Sequence, residues 1–161
     1  MLFISLALFA ASLNLTAQNN ISLQASGLTC SMCSNAINKS LKTLPFVESI
    51  MANIQTSTFD IAVKPGSVAD YDLLKKKVED AGFFVSKFLI TIPFTNSVVQ
   101  SNTAVTYQDK RIIFVGAAQN KLSAGDQLVR IVNKGFISAK EAKKLGIAVI
   151  PAVNKEYHAV I

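Results

Sequence analysis

From Ile21 to Ile92 the apolar residues change period in a fixed order: strand, helix, strand, strand, helix, strand. Ile21, Leu23 and Ala25 alternate with polar residues, which is the pattern of a half-buried strand. Gly27 interrupts it. After Cys33 the apolar positions are Ala36, Ile37, Leu41 and Leu44, a helical spacing that ends at Pro45. Val47 to Asn53 reads as a second strand. Phe59, Ile61 and Val63 mark a third, closed by Pro65-Gly66. Ser67-Val68-Ala69-Asp70 offers a capping start for a helix through Tyr71, Leu74, Val78 and Ala81, with Gly82 as its stop. The Lys75-Lys76-Lys77 run falls largely on the opposite, solvated face. Phe83 to Ile92 is then a strongly apolar fourth strand. A βαββαβ order of this kind predicts an α+β, ferredoxin-like domain over residues 20–92, with four antiparallel strands and both helices on one side.

The remaining chain has another texture. Val98-Val99, Thr103 to Tyr107 and Arg111 to Val115 read as strands, with a hairpin turn at Gln108-Asp109-Lys110. Gln127 to Val132 follows as a strand. Ser138-Ala139-Lys140-Glu141 is a capping box opening a short helix to Leu145, which Gly146 ends. Ile147 to Val153 is expected to form a last strand around Pro151. These features predict a separate small β-rich domain with one short helix over residues 97–161, the boundary lying at Pro93 to Asn96.

The only two cysteines, Cys30 and Cys33, stand at the crossing from first strand to first helix. A pair so close in sequence cannot staple a fold, so its role is chemical. Thiolates are soft ligands that favour Cu(I), with Zn(II) and other thiophilic ions as competitors. Structural zinc takes four ligands, and the chain offers one histidine and no further cysteine. A low-coordinate monovalent ion fits better. Cys33, in the first turn of the helix, is expected to feel the unpaired N–H groups and dipole there, which lower a thiol pKa. Met32, between the cysteines, reads as exposed and non-ligating. His158 reads as a surface residue. Tyr107, Tyr157, Asp109 and Glu156 form no recognisable acid–base set, and there is no nucleophile elbow or phosphate loop, so the chain reads as a binding protein and not an enzyme.

Gly27-Leu28-Thr29-Cys30-Ser31-Met32-Cys33, together with Ala81-Gly82-Phe83, resembles the heavy-metal-associated domain of copper chaperones and copper-ATPase metal-binding modules. The motif is usually Gly-Met-Thr-Cys-x-x-Cys, from which Leu28 departs. The resemblance covers residues 20–90 and implies that Cys30 and Cys33 carry the metal and exchange it with a donor or acceptor protein bearing paired cysteines. It implies that Leu28 is an inward tether, that Thr29 holds the loop, and that Phe83 either shields the metal or belongs to the core. Two other readings of the chain stand beside it. One is a thiol-disulfide oxidoreductase, although thioredoxin-like motifs commonly carry Trp before the first cysteine and a further strand before the motif strand. The other is a non-metal interaction module centred on residues 97–161.

Charge and the leader complete the reading. The formal net charge is +6, divided as +1 over residues 20–90 and +5 over residues 91–161. No dense Lys/Arg stripe or recognition motif points to nucleic acid, which leaves solvated lysines, or an acidic partner or anionic surface for the basic second half. No charged side chain occurs before Lys39, and Met1 to Leu15 is a nearly unbroken apolar run. With Thr16-Ala17-Gln18 after it, this run reads as a signal peptide over residues 1–18, although no Lys or Arg precedes it. The expectation is an exported protein, periplasmic or secreted, without a stable membrane span after cleavage.

Overall fold

A computed structural model describes residues 20–28, 30–95, 97–116, 120–122 and 124–161; the expected leader and Thr29 lie outside them. The elements are β1 (Asn20–Ser26), α1 (Ser31–Lys42), β2 (Val47–Asn53), β3 (Thr58–Val63), α2 (Tyr71–Asp80) and β4 (Phe84–Phe94). They continue as β5 (Ser97–Val99), β6 (Ala104–Tyr107), β7 (Lys110–Phe114), β8 (Asn120–Leu122), β9 (Gly125–Ile131), α3 (Ala139–Leu145) and β10 (Glu156–Val160).

The first six elements take the expected order. Strands β2-β3-β1-β4 lie side by side, and every pairing among them is antiparallel. The apolar alternation read along β1 and β3 is the buried face of this sheet: Ile21, Leu23, Phe59 and Ile61 are all buried. Ile37 and Leu41 of α1, and Tyr71, Leu74 and Val78 of α2, close over them in one core. The register of β1 against β4 shifts between Gln24 and Ala25. This bulge lets Val85 and Phe88, three positions apart, both face the core. Helix α2 is capped by Asp70, whose carboxylate accepts from the Leu73 N–H at 2.9 Å, at the end of the Ser67–Asp70 stretch.

The second half does not stand apart. Strand β9 pairs antiparallel with β4 from Phe88↔Ile131 to Phe94↔Gly125, so the expected boundary falls inside one ladder. The full sheet has eight strands in the order β2-β3-β1-β4-β9-β10-β7-β6. Ile112, Phe114, Val129, Phe136 and Tyr157 join the core of the first six elements. The physical reason is β4 itself. As an edge it would present a long apolar strand with unpaired backbone groups, and β9 covers it.

Two further differences remain, the first at the carboxyl end. Ile147 to Ala152 forms no strand, because Pro151 has no N–H to donate and Ala148 to Ile150 are exposed. The last strand is instead β10, lying between β9 and β7, parallel to β7. Its signal was the alternation of Tyr157 and Ala159, which are the buried positions. The second difference is Lys75, which is not simply solvated. Its ammonium lies 3.0 Å from Asp72 and 4.9 Å from the centre of the Phe136 ring.

Strand β5 pairs with β8 in a small separate sheet. Helix α3 has the cap read from its capping box, with the Ser138 hydroxyl accepting from Glu141 N–H at 3.3 Å. Gly146 ends it in the left-handed conformation, φ 65°. Around α3 a second small cluster of Val132, Ile137 and Ala142 packs with Val115, Ile147 and Val160. Along β9 and β10 these side chains alternate with those of the main core, so α3 covers the sheet face opposite α1 and α2.

Candidate metal centre

The loop between β1 and α1 is positioned at both ends. Gly27 has φ 87°, a left-handed conformation that turns the chain out of the strand and that only glycine takes without strain. A Cβ there would stand 3.8 Å from the Phe83 ring, so Phe83 lies directly against the root of the loop. Phe83 is half-buried and packs on the main core, as does Leu28. Phe83 therefore belongs to the core edge while flanking the loop, which joins its two expected roles.

Cys30 is the N-cap of α1, with extended backbone at φ −153°, ψ 162°. Its sulfur accepts from the Cys33 backbone N–H at 3.4 Å, filling the place a serine or aspartate oxygen usually takes. The two sulfurs are 2.8 Å apart. Both cysteines are free; Cys30 is exposed and Cys33 is partly covered.

The thiol pKa of Cys30 is lowered, chiefly by the Cys33 thiol beside it and then by the backbone N–H groups of the first helical turn. The sequence placed the helix effect on Cys33. The structure adds Cys30, because the helix starts at Ser31 and makes Cys30 the cap, with Cys33 in the first turn as expected.

Met32 is 81% exposed. His158 is partly buried and committed elsewhere. Its ring Nδ1 lies 3.3 Å from the Asn133 side-chain nitrogen, and its backbone N–H donates to Asn133 Oδ1 at 2.6 Å. Among the described residues no group of three or more His, Cys, Asp or Glu side chains gathers in a way that suits a metal ion. The donor set is thus two sulfurs at the surface. Chemically it can hold a soft ion at low coordination, or close to a disulfide by loss of two electrons and two protons. Asp109 and Tyr157 line one pocket together with Asp72, Lys110 and Lys155. Asp109 bridges Lys110 and Lys155, with its carboxyl held down to about 2 by these two lysines against the opposing effect of burial.

Residues 22–84 match the model of the heavy-metal-associated domain. A copper-exporting P-type ATPase of Bacillus subtilis is 32% identical over 68 residues, which are 42% of this chain and 8% of the relative. A copper-transporting ATPase of Arabidopsis thaliana is 32% identical over 98 residues, 61% of this chain and 8% of the relative. The chain thus spans less than a tenth of the length of these relatives. A copper transporter domain from yeast, solved in its apo and Cu(I)-loaded states, is 30% identical. That likeness covers 42% of this chain and 90% of the yeast domain, with a TM-score of 0.37.

Proposed function

We propose that this chain, whose residues 22–84 are a heavy-metal-associated domain homologous to the metal-binding domains of copper ATPases, binds Cu(I) between Cys30 and Cys33 as a cargo. The observation that carries the reading is the pair of free sulfurs, 2.8 Å apart at an exposed helix start. Two thiolates suit a soft monovalent ion, and Zn(II), which prefers four ligands, is the weaker fit. At metal–sulfur bonds of about 2.3 Å, two sulfurs flanking one ion stand up to roughly 4.6 Å apart. Loading therefore moves the two sulfurs apart from their 2.8 Å contact.

Two ligands leave the ion open to a third. A donor or acceptor protein with paired cysteines attacks it, shares it through three sulfurs, and removes or delivers it without breaking a full coordination shell. We place this exchange outside the cytoplasm, on the strength of the apolar leader at residues 1–18. Among the described residues no helix is long and apolar enough to cross a membrane. In an oxidising compartment the pair needs a reductant or prior loading, since a disulfide cannot hold Cu(I).

The test is titration of the reduced chain with Cu(I) against a competing chelator. About one ion per chain is expected, lost in Cys30→Ser and in Cys33→Ser. An affinity no better than that of a free dithiol overturns the reading. The lowered pKa of Cys30 also favours a second reading, thiol-disulfide exchange. Turnover in a disulfide-reduction assay that needs both cysteines distinguishes it.

A further inference from the structure

Part of the basic charge of the second half, on Arg130 and on the lysines of α3, lies about a groove that reaches the root of the metal loop. The groove, of about 660 Å³, runs from Gly27 and Leu28, at the root of the loop, past Lys87 to Arg130 and Glu141. Glu141 belongs to α3, so the groove joins the heavy-metal-associated domain to the helix that follows it in the fold. Its wall carries two cations, Lys87 and Arg130, the second already paired. Arg130 gives one N–H to Glu141 at 3.2 Å, while its Nε and Nη2 are buried with no acceptor among the described residues.

Apart from Glu141 the charged residues of the helix are basic. Lys140, Lys143 and Lys144 are exposed, and none of them forms an ion pair with a described residue. Lys140 and Lys144 lie one helical turn apart and share a face. The chain then passes through Leu145, Val149 and Ile150, each more than a third exposed. This segment is pinned alongside exposed Lys134, whose N–H donates to the Ile150 carbonyl at 2.9 Å. Uncompensated like charges and exposed aliphatic side chains on one rim carry a standing cost that a complementary surface removes.

We infer that α3 and the groove beside it form a docking surface for an acidic, partly apolar protein segment, which holds a partner next to the metal loop. Charge complementarity selects a carboxylate-rich occupant. An anionic membrane is the less favoured one, because interfacial anchors are typically Trp and Tyr. The chain has no Trp, and the exposed apolar residues of this rim are aliphatic. The inference rests on the cargo-exchange reading only for the partner's purpose; the docking itself needs no metal.

The test uses the full chain carrying Cys30→Ser and Cys33→Ser, so that loss of metal binding and loss of docking are read separately. The probe is a short synthetic peptide of alternating Glu and Leu, added to isotope-labelled protein while amide shifts are followed. Expected are shifts centred on residues 134–150 and on Gly27 and Leu28. The affinity should fall about tenfold when salt rises through the range where surface charge is screened, and by a similar factor in Lys140→Glu/Lys143→Glu/Lys144→Glu. The milder Lys→Gln triple variant, expected to weaken binding in the same direction, keeps the test decisive should charge reversal disturb the fold. No shifts, shifts centred elsewhere, or salt-insensitive binding overturns the inference. Tighter association with phosphatidylserine vesicles than with the peptide also overturns it, in favour of a membrane surface.

Discussion

Tyr157 donates its hydroxyl to Asp72 at 2.7 Å, tying the last strand to the first turn of α2 across 85 positions of the chain. The same ring stands 5.2 Å from Tyr71 and 5.8 Å from Phe136, and Tyr71 is 5.3 Å from Phe88. Lys110, buried among these groups, places its ammonium 4.6 Å above the Tyr71 ring. One aromatic cluster therefore belongs to both halves of the sequence.

Removing that hydroxyl tests the tie. Tyr157→Phe is expected to cost about 1.5–3 kcal/mol, the net worth of a hydrogen bond to a charged partner. Burial, and then the Asp72 carboxylate, raise the Tyr157 pKa above the ordinary value of 10.0. A raised folded pKa means the native state keeps its proton while the unfolded chain releases it. This contribution is thus complete below pH 10.0 and declines as pH rises further. Thermal melts should show an alkaline loss of stability whose slope is shallower in Tyr157→Phe by about 1.4 kcal/mol per pH unit, one proton's worth. Equal slopes in the two proteins would contradict the assignment.

A shared core unfolds as one. Phe136 is fully buried and meets Phe88 of β4 edge to face, with ring centres 5.1 Å apart. Phe136→Ala should cost about 3–5 kcal/mol, as truncation of a buried aromatic ring generally does. The loss should appear with the same midpoint at probes in β1 and in β7 during denaturant unfolding followed by residue-resolved spectroscopy. A first half whose transition does not move would mean that the two halves are independent.

The cap on α1 separates structure from chemistry at a single position. Serine is among the preferred N-caps, whereas alanine cannot accept the Cys33 N–H. Cys30→Ser should melt close to the parent protein, and Cys30→Ala should melt lower. Both should lose tight Cu(I) binding. In the parent, Cys30 should react with an alkylating reagent near neutral pH faster than an unperturbed thiol, because its lowered pKa raises the thiolate fraction. Reaction at the rate of a model thiol would argue against the cap.

Gly27 should resist replacement. At φ 87° an alanine suffers the clash that disfavours left-handed backbone, about 1–2 kcal/mol, and its methyl group meets the Phe83 ring. Gly27→Ala is expected to lower the melting temperature and weaken Cu(I) binding together, since the strained backbone lies at the root of the loop that carries Cys30. Met32→Ala, at a fully solvated position, should leave both unchanged.

The sequence by itself determined the elements that follow from local periodicity and punctuation. Leu23, Ile37, Phe59, Leu74 and Ile90 were legible as core because period two or period 3.6 places them on one face, and that face is buried. The cysteine pair was legible too, since its placement between strand and helix is a short-range fact. Only the tertiary structure decided what lies beside β4. Backbone pairing leaves no signature in side-chain pattern, so nothing in Gly125 to Ile131 names β4 as its neighbour. For the same reason the Tyr157–Asp72 contact, the insertion of β10 between β9 and β7, and the nearness of α3 to Gly27 were invisible. Each depends on where the chain returns after many residues, which is decided by the competition of whole surfaces for burial. Even Cys30's role as cap turned on one residue of helix register, a boundary that periodicity cannot resolve.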